Sequence, residues 1–406
     1  MGKPLALAPI ESSLARVAGM TSVLFVNSGI LGMASFSKVI WDGMERDPEI
    51  EASHIALSER LCIDERIIRR LLCTRFWRDG LFGLKNIDLE RMRCEYHAGF
   101  QASRRIRKLM AIKPIDVIHF HRQGTAFGSL RLMARAPTIV SIDATQDIMI
   151  DAAPSPIEKW SYAPNAMMDG SVFRAAKAIV SASRWAADCL HRRYPDCRTP
   201  VHVMPVPVLL RSFEPRWIEE RWTRARVPGY RPKVVFVGDD FIRKGGEDLL
   251  LAWREGRLHE SATLDIVTNW PVPRPDMPGV TILRDVIAYS PEWSDVWRSA
   301  DVFALPSRQE AVGTVLQEAA AAGLPRIGTR INAIPEIVED GRTGMLVTPG
   351  DRGQLAEALR RLIASADVRR EFGCAGRRIV EQAGPDGYVS KLRAIVRSIA
   401  SRSRPS

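Results

Sequence analysis

The sequence predicts an α/β protein in which two Rossmann-like domains with parallel sheets face each other across a central cleft. The chain has 406 residues, which is long for a single hydrophobic core. Apolar segments with strand propensity alternate with helical patterns in two separate blocks. An irregular stretch rich in proline and arginine lies between the blocks and predicts a connection between two domains.

The first block opens with a buried strand at 23–27, a loop at 28–32 and a helix near 35–46. Further strands are predicted at 116–121, 138–142, 178–181 and 201–204. Helical patterns fit between these strands, as the crossovers of a parallel sheet require. Residues 1–207 are therefore predicted to form the first domain.

The second block has predicted strands at 233–238, 263–268, 280–283 and 301–305. The connection spans 208–232 and includes a short helix near 217–224, and the second domain spans 233–385. A last helix with a frayed tail is predicted for 386–406. Each strand ends where a loop begins, so the loops gather at the carboxyl edge of the sheet, where parallel sheets bind ligands.

Composition sets limits on the class of protein. The hydrophobic content of 46% and the charged content of 26% are ordinary for a globular chain. No apolar run reaches the length of a membrane span, and the first residues do not follow the pattern of a secretory signal. The six cysteines are scattered, without the spacing of a zinc site, and we expect reduced thiols in a cytoplasmic protein.

The net charge of +11 predicts attraction to an anionic partner, namely nucleic acid, an acidic membrane surface or a phosphorylated substrate. Basic and apolar residues alternate with helical spacing at 66–78. This helix either packs on its own domain or lies on anionic lipid; its basic residues are Arg66, Arg69, Arg70, Arg75 and Arg78. No helix-turn-helix, zinc-finger or RNA-recognition signature is present, so nucleic acid is not expected as a partner.

The most informative segment runs from 306 to 325. A tight loop at 306–313 separates the strand at 301–305 from a helix at 314–322, which Gly323 and Pro325 close. The backbone N–H groups of Val312, Gly313 and Thr314 would face a ligand, and a phosphate or a negatively charged leaving group suits them. Glu310 lies just before this helix. Glu318, inside it, could accept hydrogen bonds from two neighbouring hydroxyls, as acids in such positions hold a ribose.

The chain resembles the retaining glycosyltransferases of family four in two places. The first is Glu310, the seven residues that follow it and Glu318, and the second is the stretch 328–351. The resemblance implies the glycosyltransferase B fold, with a nucleotide-sugar donor on the second domain and an acceptor on the first. It assigns Glu310 to sugar hydroxyls near the anomeric carbon and Glu318 to the ribose. It also implies that the helix near 388–399 crosses back to the first domain.

The loop at 238–246 matches the family's diphosphate-binding loop in part. Gly238 and Lys244 fall on the glycine and lysine of that loop, whereas Asp239 stands where the family has an arginine. A carboxylate there would repel a diphosphate, and Arg243 could supply the missing positive charge. Cations preset beside the leaving oxygens stabilise the charge that develops on them. Because Asp239 and Asp240 are adjacent rather than spaced as metal ligands, we expect no essential metal and no cofactor.

Asp143 follows the strand at 138–142, at a position where the family often presents a histidine to the sugar. It could bind a sugar hydroxyl or stabilise a developing oxocarbenium ion, or it could cap the next turn. After the strand at 178–181, Ser183 is predicted to cap a helix, and Trp185 is predicted to lie in the core.

Two further pairs in the first domain are candidates. Gly29 and Gly32, after the opening strand, would allow close approach of a substrate or a diphosphate, or they form a plain turn. His119 and His121 alternate on one strand and face the same side. A hydrogen-bonded structural role is favoured for both, with His121 nearer the ligand edge.

These observations predict a cytoplasmic retaining glycosyltransferase, peripheral to the inner face of the plasma membrane if the basic helix binds lipid. It would move a sugar from a nucleotide donor to the hydroxyl of a glycan, glycolipid or small molecule, in surface-polysaccharide or glycolipid assembly. The alternatives are a nucleotide-sugar epimerase, which the extended match disfavours, and a non-catalytic nucleotide-sugar binding protein, which the departures at Asp239 and Asp143 keep open. A dehydrogenase is disfavoured because no strand is followed by a Gly-x-Gly-x-x-Gly turn.

Overall fold

The structure is a computed structural model that describes residues 20–28, 34–57, 63–74, 89–273 and 276–401. In these ranges two six-stranded sheets, parallel at every strand pair, carry helices on their faces. The predicted arrangement of two Rossmann-like domains is confirmed. Gly29 and Gly32 lie outside the described residues, as do Arg75 and Arg78.

The first sheet has the strand order β2-β1-β3-β4-β5-β6. Its strands are β1 (Thr21–Asn27), β2 (Ile50–Ala56), β3 (Val117–Phe120), β4 (Thr138–Ile142), β5 (Ala178–Ser181) and β6 (Val201–Val203). All except β2 overlap the predicted strands. β2 is an edge strand with only its two ends fully buried, so it lacks the continuous apolar run of an inner parallel strand.

The helices of the first domain cover both faces of this sheet. They are α1 (Ala34–Glu45), α2 (Ile63–Leu72), α3 (Glu90–Met110), α4 (Leu130–Met133), α5 (Asp147–Ala152), α6 (Pro156–Ser161), α7 (Ala163–Ala175) and α8 (Arg184–Arg193). Ser183 caps α8 as predicted, since its Oγ accepts the N–H of Ala186 at 3.0 Å. Trp185 is only partly buried and packs where the two domains meet, so its predicted place in the core is wrong.

The second sheet has the order β12-β11-β10-β7-β8-β9. Its strands are β7 (Lys233–Val237), β8 (Thr263–Val267), β9 (Val280–Leu283), β10 (Val302–Ala304), β11 (Arg326–Thr329) and β12 (Gly344–Val347). Its helices are α9 (Arg216–Ala225), α10 (Gly246–Glu255), α11 (Pro291–Ser299), α12 (Thr314–Ala321), α13 (Ile334–Ile337), α14 (Arg352–Ala364) and α15 (Ala366–Ala383).

Part of the predicted connection belongs to the second domain. Trp217 of α9 joins that domain's core, and the fully buried Arg221 donates to the carbonyl oxygens of Ala300 and Ala322 at 2.5 and 3.0 Å. A buried guanidinium is stable only when its donors are satisfied. These bonds therefore fix α9 to the sheet it precedes.

The last helix, α16 (Pro385–Ser401), returns to the first domain. Its apolar face, including Tyr388, Val389 and Leu392, packs in the core that also holds Phe36 of α1. Arg393 and Arg397 flank the buried Asp47 at 3.1 and 3.0 Å. The carboxyl-terminal segment thus joins the two domains a second time. Throughout the described ranges, every helix is too short or too polar to span a bilayer.

Candidate active site

The loop between β10 and α12 holds Glu310 in a fixed place. Gly313 starts α12 with a φ of 72°, a conformation that favours glycine. The side chain of Asn332 donates to the carbonyl oxygen of Glu310 at 2.7 Å, and Thr329 Oγ1 donates to that of Ser307 at 2.8 Å. The loop after β11 therefore supports the loop that carries Glu310.

The Glu310 carboxylate lies beside a cation from the neighbouring loop. Arg243 Nη1 is 3.6 Å from Glu310 Oε2, and the same nitrogen donates to the carbonyl oxygen of Gln309 at 2.7 Å. Arg243 Nε also donates to Asp240 at 2.7 Å. These three contacts hold the guanidinium at the mouth of the loop, where it adds positive charge next to Glu310.

Lys244 and Glu318 form the inner part of the same site. The Lys244 side chain crosses Gly238 so closely that a β-carbon on the glycine would meet Lys244 Cδ at 2.4 Å. Burial raises the pKa of Glu318 to about 7, and Lys244 lies near enough to offset part of that rise. Glu318 therefore changes protonation near neutral pH, and hydrogen-bond donors would favour its ionised form.

Asp239 points elsewhere. Its Oδ1 accepts the N–H of Asn269, after β8, at 3.0 Å, and Asn269 Oδ1 accepts the N–H of Asp285, after β9, at 2.8 Å. The carboxylate is exposed and is bonded to the loop after β8, on one side of β7. The Glu310 loop follows β10, on the other side of β7, and the repulsion of a diphosphate by Asp239 stays a prediction.

A cavity of about 220 Å³ lies between the two domains and gathers most of the predicted residues. The first domain contributes His121 and Asp143 to its wall. The second contributes two cations, one acid and the start of α12, namely Arg243, Lys244, Glu310, Val312, Gly313 and Thr314. Gly238 and Glu318 lie outside the wall, on the second-domain side, next to Lys244.

The two histidines of β3 are enclosed. His119 Nε2 shares a hydrogen bond with Ser141 Oγ at 2.8 Å, and His121 Nδ1 shares one with Ser37 Oγ at 3.0 Å. Burial lowers the pKa of His119 to about 3 and that of His121 well below its usual range. Both rings are neutral at pH 7, and His121 in addition reaches the cavity.

Several lining residues were not predicted from the sequence. Arg122 directly follows His121 at the carboxyl end of β3. Because parallel sheets bind ligands at this edge, the position of Arg122 directly after a predicted strand could have identified it as a site residue. Tyr388 comes from α16 and is buried, which raises the pKa of its phenol. No local sequence signal connects Tyr388 with a cleft formed by residues so far away in the chain.

Metal ligands are not grouped in the described ranges. No three histidine, cysteine, aspartate or glutamate side chains there come together as an ion would require. The cysteines with described positions, Cys73, Cys94, Cys189, Cys197 and Cys374, are free thiols.

A segment in each half of the chain matches the model of a known protein family. Residues 231–365 match the model for glycosyl transferases group 1, and residues 85–210 match that for glycosyltransferase family 4.

Two curated relatives show how far the similarity extends. A sulfoquinovosyl transferase of Arabidopsis thaliana is 26% identical over 333 residues, which are 78% of this chain and 64% of that protein. An MMP alpha-(1->4)-mannosyltransferase of Mycolicibacterium hassiacum is 27% identical over 320 residues, which are 72% of this chain and 74% of that protein. The chain thus spans slightly less than two thirds of the plant relative.

Solved structures agree with the fold. Sucrose-phosphate synthase from Thermosynechococcus elongatus superposes with a TM-score of 0.67 at 17% identity, covering 94% of this chain and all of that one. The Anabaena protein HepE, solved in complex with UDP-glucose, superposes with a TM-score of 0.62 at 16% identity, covering 93% of this chain and 99% of that one. At these identities the likeness shows the two-domain architecture alone.

Proposed function

The chain belongs to the group 1 glycosyltransferases of family four, and we propose that it is a retaining enzyme that moves a sugar from a nucleoside-diphosphate sugar to an acceptor hydroxyl. One observation carries the proposal. The cavity between the domains brings Glu310 and Lys244 of the second domain opposite Asp143 and His121 of the first. A donor held by one domain and an acceptor held by the other would meet there.

The charges around the cavity suit a diphosphate. Lys244 and Arg243 are both in its wall, and α12 directs its amino-terminal N–H groups into the same space. A bond breaking between the sugar and the diphosphate develops negative charge on the leaving oxygens, which these groups would stabilise without moving. The UDP-glucose bound by the Anabaena protein of the same fold supports this choice of donor.

In the proposed reaction the bond from the anomeric carbon to the phosphate oxygen breaks, and the acceptor oxygen bonds to that carbon on the same face. The acceptor proton passes to the leaving phosphate, so no separate protein base is required. Glu310 would hold sugar hydroxyls and Glu318 the ribose. Asp143, across the cavity, would stabilise positive charge on the sugar ring. Neutral His121 would exchange a hydrogen bond with a hydroxyl.

The reaction is tested by incubating the purified protein with UDP-, GDP- and ADP-sugars that are α-linked to the diphosphate and following nucleotide release. Without an acceptor, the sugar is transferred slowly to water, and the anomeric form of the released sugar is determined at once by proton NMR. We expect one donor to be consumed and its α-anomer to appear first. First appearance of the β-anomer would contradict retention, and conversion of the sugar while still attached to the nucleotide would indicate an epimerase.

A patch on the first domain bears on where the acceptor is presented. α2 packs against α3, and both leave large apolar side chains exposed, namely Ile68, Leu71, Leu72, Tyr96 and Phe100. Leu71 is 66% and Phe100 60% exposed. The same two helices also carry exposed basic residues, namely Arg69, Arg70, Arg104, Arg107 and Lys108. Apolar side chains beside cations suit the surface of an anionic bilayer.

We therefore propose that the enzyme works at the cytoplasmic face of a membrane, in the assembly of a surface polysaccharide or glycolipid. Flotation with liposomes tests this location. We expect the wild type to float with vesicles that contain phosphatidylglycerol and the Leu71→Ser, Phe100→Ser double variant to remain below. Equal flotation with neutral vesicles, or of the variant, would contradict it.

A further inference from the structure

One contact between the domains involves a carboxylate that no part of the proposed chemistry uses. Glu336, on α13 of the second domain, accepts the backbone N–H of Arg184 at 2.8 Å through Oε2. Its Oε1 accepts that of Trp185 at 2.7 Å. Both N–H groups belong to the first turn of α8 in the first domain.

These bonds complete the start of α8. The first N–H groups of a helix have no partner within it and need one from outside. Ser183 Oγ accepts the N–H of Ala186 at 3.0 Å, whereas the Glu336 carboxylate accepts the N–H groups of Arg184 and Trp185. A carboxylate at this end of a helix is also favoured by the helix dipole. The second domain thus provides two of the three capping bonds of a first-domain helix.

The contact is surrounded by others that cross the same boundary. Ala182 of the first domain packs against Val312 and Ala333 of the second. Gln309 Nε2 donates to the carbonyl oxygen of Ile148 at 2.8 Å. The interdomain contact is therefore continuous from α13 to the loop that carries Glu310.

We infer that Glu336 is a positioning residue that holds the cleft closed by capping α8 across the domain boundary. The segment before α13 is bonded to the Glu310 loop, since the N–H of Ala333 donates to the carbonyl oxygen of Ala311 at 3.2 Å. On the other side, α8 follows β5, which pairs with β4, the strand that leads to Asp143. The capping bonds thus act together with the contacts of Gln309 and Val312 in holding Glu310 opposite Asp143. The consequence for turnover rests on the proposed function, whereas the effect on closure does not.

Three variants and a control test this role. Glu336→Ala removes both acceptors. Arg184→Pro removes one donor from the other side of the contact and leaves Glu336 intact. Proline is favoured at the first position of a helix, and Ser183 before it is already extended, with φ −156° and ψ 162°. Glu336→Gln keeps the shape of the side chain without its charge. Glu357→Gln, in an exposed ion pair with Arg360 on α14, is the charge-matched control.

Small-angle X-ray scattering of the full chain without ligand measures closure directly. We expect the scattering of the wild type and the control to match the closed arrangement, in which Glu336 contacts α8 as in the structure. Glu336→Ala and Arg184→Pro should have a larger radius of gyration. In Glu336→Ala the ratio of closed to open molecules should fall about fivefold, which is the usual effect of losing a helix cap. The ratio in Glu336→Gln should lie between those of the wild type and Glu336→Ala. Identical scattering from all five proteins, whether compact or extended, would overturn the inference.

Kinetics separate positioning from general damage to the fold. In the Glu336 variants the affinity for free nucleoside diphosphate, which the second domain binds, should stay within about twofold, while turnover of the donor falls about fivefold. A variant that loses affinity, turnover and thermal stability together would show a structural role only. Because scattering needs no donor, a protein that turns over no nucleotide sugar would contradict the proposed function and leave the closure test valid.

Discussion

Glu318 is the residue whose chemistry is most sharply defined by its surroundings. Burial raises its pKa to about 7 and Lys244 partly offsets the rise. The carboxylate accepts hydroxyl donors best when it is ionised. Its protonation and its proposed contact with a ribose are therefore coupled, and the coupling can be measured.

We predict that nucleoside diphosphate binding tightens as the pH rises from 6 to 8. With a pKa of about 7, the ionised fraction of Glu318 grows from about one tenth to about nine tenths over this range, so the apparent Kd should fall up to about tenfold. Calorimetric titration checks this with Glu318→Gln as the isosteric control. The control should bind more weakly and lack this slope. An equal slope in both proteins would assign the pH dependence to another group.

The same pKa predicts the sign of a stability effect in the free protein. An acid whose pKa is raised from 4.5 to about 7 by folding contributes stability below pH 4.5, which is lost as the pH rises to about 7. The difference in melting temperature, Glu318→Gln minus wild type, should therefore increase between pH 5 and pH 8. A constant difference would contradict the raised pKa.

Lys244 and Asp239 stand in one loop and are predicted to matter unequally. Lys244 lines the cavity, whereas the Asp239 carboxylate is bonded to the N–H of Asn269. Lys244→Ala should weaken binding of the preferred nucleoside diphosphate about 10- to 100-fold, as expected for a lost charged hydrogen bond. Asp239→Asn should change it by less than about threefold at physiological salt. A large gain of affinity in Asp239→Asn would show that the aspartate does oppose the diphosphate.

At the scale of elements, the two loops of the second-domain site are built against each other. Gly245 starts α10 with a φ of 76°, and a β-carbon there would lie 1.9 Å from the carbonyl oxygen of Pro306. Arg308 and Gln309 in turn donate their N–H groups to the carbonyl oxygen of Arg243. The loop with Lys244 and the loop with Glu310 therefore form one unit.

Gly245→Ala should destabilise the protein far more than Gly350→Ala. Both glycines have positive φ, at 76° and 78°, but Gly350 has open space around its α-carbon. We expect a loss of about 1 kcal/mol for the control, from backbone strain alone, and of about 2–4 kcal/mol for Gly245→Ala, where the clash adds about 1–3 kcal/mol. Midpoints of urea unfolding measure both. Similar midpoints would contradict the close packing of the two loops.

The sequence predicted those elements whose pattern follows from burial. β1, β4 and β10 are buried over nearly their whole length and consist mostly of apolar residues, and α12 has a glycine at each end. β11 was missed because it begins with Arg326, which is almost fully buried and donates to the carbonyl oxygen of Ile337 at 3.0 Å. A charged residue in a core is predictable only when its partners are known, and these partners come from a later segment of the chain.

At the scale of the whole molecule, the site exists because of how the domains are placed. Asp143 and Glu310 are 167 positions apart in the sequence, and they share a cavity only because the two sheets present their loops to each other. Local patterns predicted each loop as a candidate. The pairing of loops, the wall provided by Tyr388 of α16 and the capping of α8 by Glu336 arise from domain packing, and no local pattern encodes them.

The central claim is that this cleft binds a nucleotide sugar through Lys244 and Glu318, and thermal unfolding with a panel of UDP-, GDP- and ADP-sugars tests it most directly. A donor at a hundredfold excess over its Kd adds about 2.7 kcal/mol to the folded state. We predict that one nucleotide class raises the melting temperature of the wild type by several degrees and that Glu318→Ala and Lys244→Ala respond much less. The claim is contradicted if no donor stabilises the wild type, or if the two variants respond as strongly as it does.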